Sequence, residues 1–68
     1  MTSHPEPQQV LYEFMEIGNS VRVAAVDPVT LVEVVVAGPP YAMEMLKRTA
    51  RRKLAMAIAR QREAAARR

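Results

Sequence analysis

The chain has no cysteine, no tryptophan, one histidine, two glycines and three aromatic residues among 68 positions. Without cysteine there is no disulfide framework and no thiolate-held metal or cluster. Gly18 and Gly38 are too few for a glycine-rich phosphate cradle. The two serines, Ser3 in the N-terminal stretch and Ser20 beside a turn, have no positioned base, because His4 lacks an ordered neighbour in sequence. The expectation is no enzyme, no cofactor and no small-molecule substrate. Tyr12, Phe14 and Tyr41 are the only aromatic residues, and with the first two assigned to the core no platform is left for stacking bases. The longest uncharged stretch, Val34 to Met43, is interrupted by Pro39 and Pro40. It reaches only about half of the ~20 residues that a bilayer-spanning helix needs. The first 30 residues lack the basic start and apolar core of a signal peptide, which sets the expected location as cytoplasmic.

What is present is a folding composition, 50% hydrophobic and 25% charged, in a length that allows one domain. The net charge of +3 hides a division. Residues 1–46 set Arg22 against Glu6, Glu13, Glu16, Asp27, Glu33 and Glu44, a balance of −5. Residues 47–68 set nine lysines and arginines against Glu63, a balance of +8. Such polarity suits either a nucleic-acid-binding surface or two halves that attract one another or a neighbouring subunit.

Residues 1–9 contain two prolines, two glutamines and His4 without periodicity, and are expected to be a disordered tail. From Val10 to Ala37 β-branched, aromatic and aliphatic residues dominate, and two turn signals divide the stretch. Gly18-Asn19 suits a two-residue hairpin turn, and Asp27-Pro28-Val29-Thr30 combines a preset φ with a capping carboxylate. The spacing predicts a three-stranded antiparallel β-meander over about 11–17, 20–26 and 32–37. A two-residue loop places Ile17 opposite Ser20, Phe14 opposite Val23 and Tyr12 opposite Ala25. The second loop then places Ala25 opposite Val34 and Val23 opposite Val36. One face collects Tyr12, Phe14, Val21, Val23, Ala25, Val32, Val34 and Val36, with Glu16 at the hairpin end. The other mixes Leu11, Met15, Ile17, Ala24, Val26 and Val35 with Glu13, Arg22 and Glu33, too apolar for a wholly wetted surface.

Gly38-Pro39-Pro40 ends the third strand, and from Tyr41 onward neither glycine nor proline recurs. A long C-terminal α-helix is predicted over about 41–62, completing an α+β fold of one βββα domain (10–62) with a frayed basic end at 63–68. Met43, Leu46, Ala50, Leu54, Ala57 and Ile58 share an apolar arc that covers the valine-rich face. Lys47, Arg48, Arg51, Arg52 and Arg62 lie opposite. Such a helix would be ~33 Å long over strands of ~23 Å, so its last turns overhang. A cysteine-free chain under about 70 residues builds a marginal core alone, and oligomerisation is a common remedy. A homodimer is expected, through the helix overhang or the second sheet face, with Leu11, Met15, Ile17, Val26 and Val35 as its contacts.

The run Tyr12-Glu13-Phe14, Gly18-Asn19, Val21-Arg22-Val23, Ala25-Val26-Asp27-Pro28, Thr30, Glu33-Val34 and Gly38-Pro39, followed by Leu46, Arg48, Ala50 and Lys53-Leu54, resembles a small family of uncharacterised alphaproteobacterial proteins. The resemblance covers roughly residues 10–58 and implies a self-contained domain, with no activity, cofactor or partner attached. It departs at Leu31, where the family pattern carries glycine after the turn threonine. A left-handed residue there would strain leucine by roughly 1 kcal/mol.

The functional expectation is a non-enzymatic interaction or assembly module. The alternative is an accessory nucleic-acid-binding protein that uses Lys47, Arg48, Arg51, Arg52 and Arg62 against phosphates without sequence preference. The bland reading of those cations is solvation of an alanine-rich helix and pairing with acids of a second subunit.

Overall fold

The computed structural model describes residues 9–67; the tail expected at residues 1–9 falls almost wholly outside the described residues, as does Arg68. Three strands, β1 (Leu11–Ile17), β2 (Ser20–Val26) and β3 (Glu33–Gly38), form one antiparallel sheet in the order β1-β2-β3. A short 3-10 turn over Pro40–Ala42 leads into α1, Met43–Ala66.

The turn chemistry sets the register. Gly18 sits at φ 59 and Asn19 is not left-handed, the pattern of a type II′ turn with glycine at its first central position. Ile17 pairs with Ser20, Phe14 with Val23 and Tyr12 with Ala25, as the two-residue loop requires. In the second loop the Val29 and Thr30 amides donate to the Asp27 carboxylate at 3.2 and 3.4 Å, and the Thr30 hydroxyl donates at 2.8 Å. The Val32 amide donates to the Thr30 hydroxyl, and the Leu31 amide to the Asp27 carbonyl. This closed set brings β3 back with Val23 opposite Val36 and Ala25 opposite Val34. It also leaves Leu31 at φ 66, in the left-handed region that favours glycine.

Val21, Val23, Ala25 and Val36 meet Leu46, Ala50, Leu54 and Ile58 in the core. Leu46 packs where a glycine is needed, since a Cβ on Gly38 would stand 2.9 Å from a Leu46 methyl carbon. Burial of Val23 and Leu54 is complete, and each such aliphatic side chain contributes about 1.5–3 kcal/mol.

Three features differ from expectation. Phe14, assigned to the covered face, remains 48% exposed. The chain enters α1 from the end of β3, so the helix lies over β3 and β2 and covers little of β1 beyond Tyr12. The helix begins at Met43, after the Pro40 turn, and continues to Ala66, so residues 63–66 are helical rather than frayed. High helix propensity across Gln61-Arg62-Glu63-Ala64-Ala65-Ala66 favours this extension. Ala55 joins the buried residues, whereas Met43 and Ala57 are only half-buried.

Candidate interaction surfaces

No buried residue of α1 lies beyond Ile58. A helix of 24 residues is ~36 Å long in a molecule whose longest dimension is 43 Å, and residues 60–66 are all exposed. Near that end Arg62 exerts an attraction on the Asp27 carboxyl. The Thr30 hydroxyl, first, then the Val29 and Thr30 amides and Arg62 hold that carboxyl below its ordinary value of 3.8, against the opposing effect of desolvation.

The cations do not form one outward stripe. Lys47 turns toward the sheet, its Nζ 5.3 Å from the centroid of the Tyr12 ring, and Tyr12 stacks on Phe14 at 6.4 Å between centroids. Arg62 acts on the β2–β3 loop. Arg48 and Arg52 are exposed and Arg51 is half-buried. Arg52 instead joins Lys53 and Arg60, two cations of the same basic run that lie outside the helical arc opposite the core, around a groove of about 410 Å³ beside Val34 of β3. The signal for Lys53 and Arg60 was their spacing of seven residues, which returns a helix to nearly the same face.

Among the described residues, none covers the far face of the sheet. Leu11, Met15, Ile17 and Val35 are each about half exposed or more, and Val26 is half-buried beside them. Glu13, Arg22 and Glu33 stand among them, and a depression of about 520 Å³ is lined by Met15, Ala24 and Val35 together with these three charges. Every sequence-selected face residue therefore lies on one surface, confirmed by the register Leu11 with Val26 and Ala24 with Val35. What sequence reasoning missed is how little of β1 the described residues cover: of its seven residues only Tyr12 is even half-buried.

Among the described residues, no three His, Cys, Asp or Glu side chains converge in a metal-binding group, and no helix is long and apolar enough to cross a membrane. No curated protein and no solved structure matches the chain. A family model does match, over residues 7–61, and the chain belongs to the family described as domain of unknown function DUF6898.

Proposed function

We propose that the chain is a non-enzymatic interaction module that works as a homodimer, with β1 and the open sheet face as its contact surface. The observation that carries this reading is the apolar surface around β1: among the described residues, Leu11, Phe14, Met15 and Ile17 are each about half exposed or more. The charges agree with self-association, because Arg22 lies at the centre of a face whose outer strands carry Glu13 and Glu33. Light scattering at tens of micromolar tests it. The expected particle has twice the 7.6 kDa chain mass, and Met15→Glu returns it to one chain with its circular dichroism unchanged. A wild-type particle of one chain mass rejects the proposal.

A second reading is supported by the groove of Arg52, Lys53 and Arg60, whose three cations suit a phosphate backbone. Titration against generic DNA and RNA at roughly 50 mM salt checks it. Binding that weakens steeply with salt and vanishes in Arg52→Glu/Arg60→Glu supports accessory nucleic-acid binding, and no binding at low salt rejects it.

A further inference from the structure

Building on the homodimer reading, we infer that β1 joins the β1 of a second copy edge to edge, about a two-fold axis through Phe14, to make one six-stranded sheet.

The main chain provides the first argument. A two-residue loop makes Ile17 and Ser20 a hydrogen-bonded pair, and alternation along the ladder gives β2 the backbone groups of Met15, Glu13 and Leu11 as well. The N–H and C=O groups of Tyr12, Phe14 and Glu16 therefore point out of the sheet along an edge that no other described strand pairs. Those three positions are symmetric about Phe14. An antiparallel second copy pairs Phe14 with its own counterpart and Tyr12 with Glu16 of the other chain, which uses every outward group of the three.

Side chains complete the match. On the helix-bearing side, Tyr12 and Phe14 already stack, and the axis brings the other copy's pair against them. Glu16 of the second copy arrives opposite Tyr12, whose ring lies under Lys47, so a carboxylate meets an ammonium group. On the far side Leu11 falls opposite Ile17 at both ends of the seam, and Glu13 opposite Met15 between them, so no two like charges face one another across it. The alternative edge, β3, is less suited: it ends at Gly38-Pro39 and is flanked by Arg52, Lys53 and Arg60. β1 carries no proline, no lysine and no bulge, three of the devices that keep an edge strand unpaired, and its two charges, Glu13 and Glu16, fall opposite Met15 and Tyr12 of the other copy. Because the contact is the same on both chains, assembly closes at two and does not propagate.

The absence of cysteine makes the register testable in the whole chain. Glu13 and Met15 of opposite copies form a non-hydrogen-bonded pair about 4.5 Å apart at Cα, within the ~4.4–6.8 Å span of a disulfide. A mixture of Glu13→Cys and Met15→Cys chains under mild oxidation by oxygen is expected to yield a disulfide-linked heterodimer. In that step the two thiols lose two electrons and two protons to the oxidant as the S–S bond forms. Face-to-face packing of two sheets separates them by ~10 Å, beyond disulfide reach. Glu16→Pro, which removes an outward N–H without touching the β2 ladder, is expected to weaken dimerisation about tenfold or more. A dimer without the 13–15 crosslink, undisturbed by Glu16→Pro and dissociated by Val35→Glu, overturns edge pairing and leaves the homodimer reading standing. A monomer at tens of micromolar overturns both.

Discussion

Leu31→Gly should stabilise the protein. Leu31 holds φ 66 at the end of the second loop, a conformation that costs an L-residue about 1–2 kcal/mol and glycine almost nothing. The side chain is 75% exposed, so its removal forfeits little burial, and the Leu31 amide's hydrogen bond to the Asp27 carbonyl survives because glycine keeps the N–H. Against the relief stands the extra freedom of glycine in the unfolded chain, about 0.5–1 kcal/mol. The balance is about 0.5–1 kcal/mol in favour of the variant, which for a domain of this size raises the melting temperature by about 2–8 °C. Thermal melts by circular dichroism check it at matched chain concentration, since dimerisation makes the midpoint concentration-dependent. Val29→Gly is the control. Val29 is exposed in the same loop but is not left-handed, so glycine there adds only unfolded-state freedom and should lower the midpoint. An unchanged or lowered midpoint for Leu31→Gly, or equal behaviour of the two variants, would refute the strain argument.

The remaining predictions concern the core, the loop and the basic groove. Leu54→Ala should cost about 2–5 kcal/mol, because the side chain is wholly buried between helix and sheet; a denaturant midpoint close to wild type would show that the helix does not roof the sheet. The depressed Asp27 carboxyl contributes stability that is fully present above its ordinary value of 3.8 and is lost as pH falls through its lower folded-state value. Thr30→Ala removes the largest source of that depression, so it should lower the melting temperature at neutral pH and narrow the difference between neutral and acid stability. Identical acid limbs for wild type and Thr30→Ala would contradict the loop chemistry. Gly38→Ala should destabilise by about 1–3 kcal/mol through displacement of Leu46, read as a lowered denaturant midpoint.

The meander was legible in the sequence because its determinants are local. Gly18-Asn19 and Asp27-Pro28-Val29-Thr30 dictate loop length, loop length dictates pairing, and pairing dictates which valines share a face. The left-handed residue was not legible from the loop itself: only the resemblance, with its glycine after the turn threonine, pointed to Leu31. Phe14 was not legible either. Alternation tells on which face it lies, but whether anything covers that face over β1 depends on where the helix crosses the sheet. That crossing follows from the exit at Gly38-Pro39-Pro40 beside β3 and from the close seat of Leu46 on Gly38. The same limit applies to the cations. A helical wheel separates the apolar arc from the rest, yet only the position of the helix axis decides that Lys47 reaches Tyr12, Arg62 acts on Asp27, and Arg52, Lys53 and Arg60 gather beside Val34.

Amide hydrogen exchange along β1, followed as the protein is diluted, tests most directly whether a second copy completes this sheet. At high concentration the account predicts protection at Tyr12, Phe14 and Glu16, lost on dilution, while Glu13 and Met15 stay protected throughout by β2. Fast exchange at Tyr12, Phe14 and Glu16 at every concentration would mean that the edge is never paired.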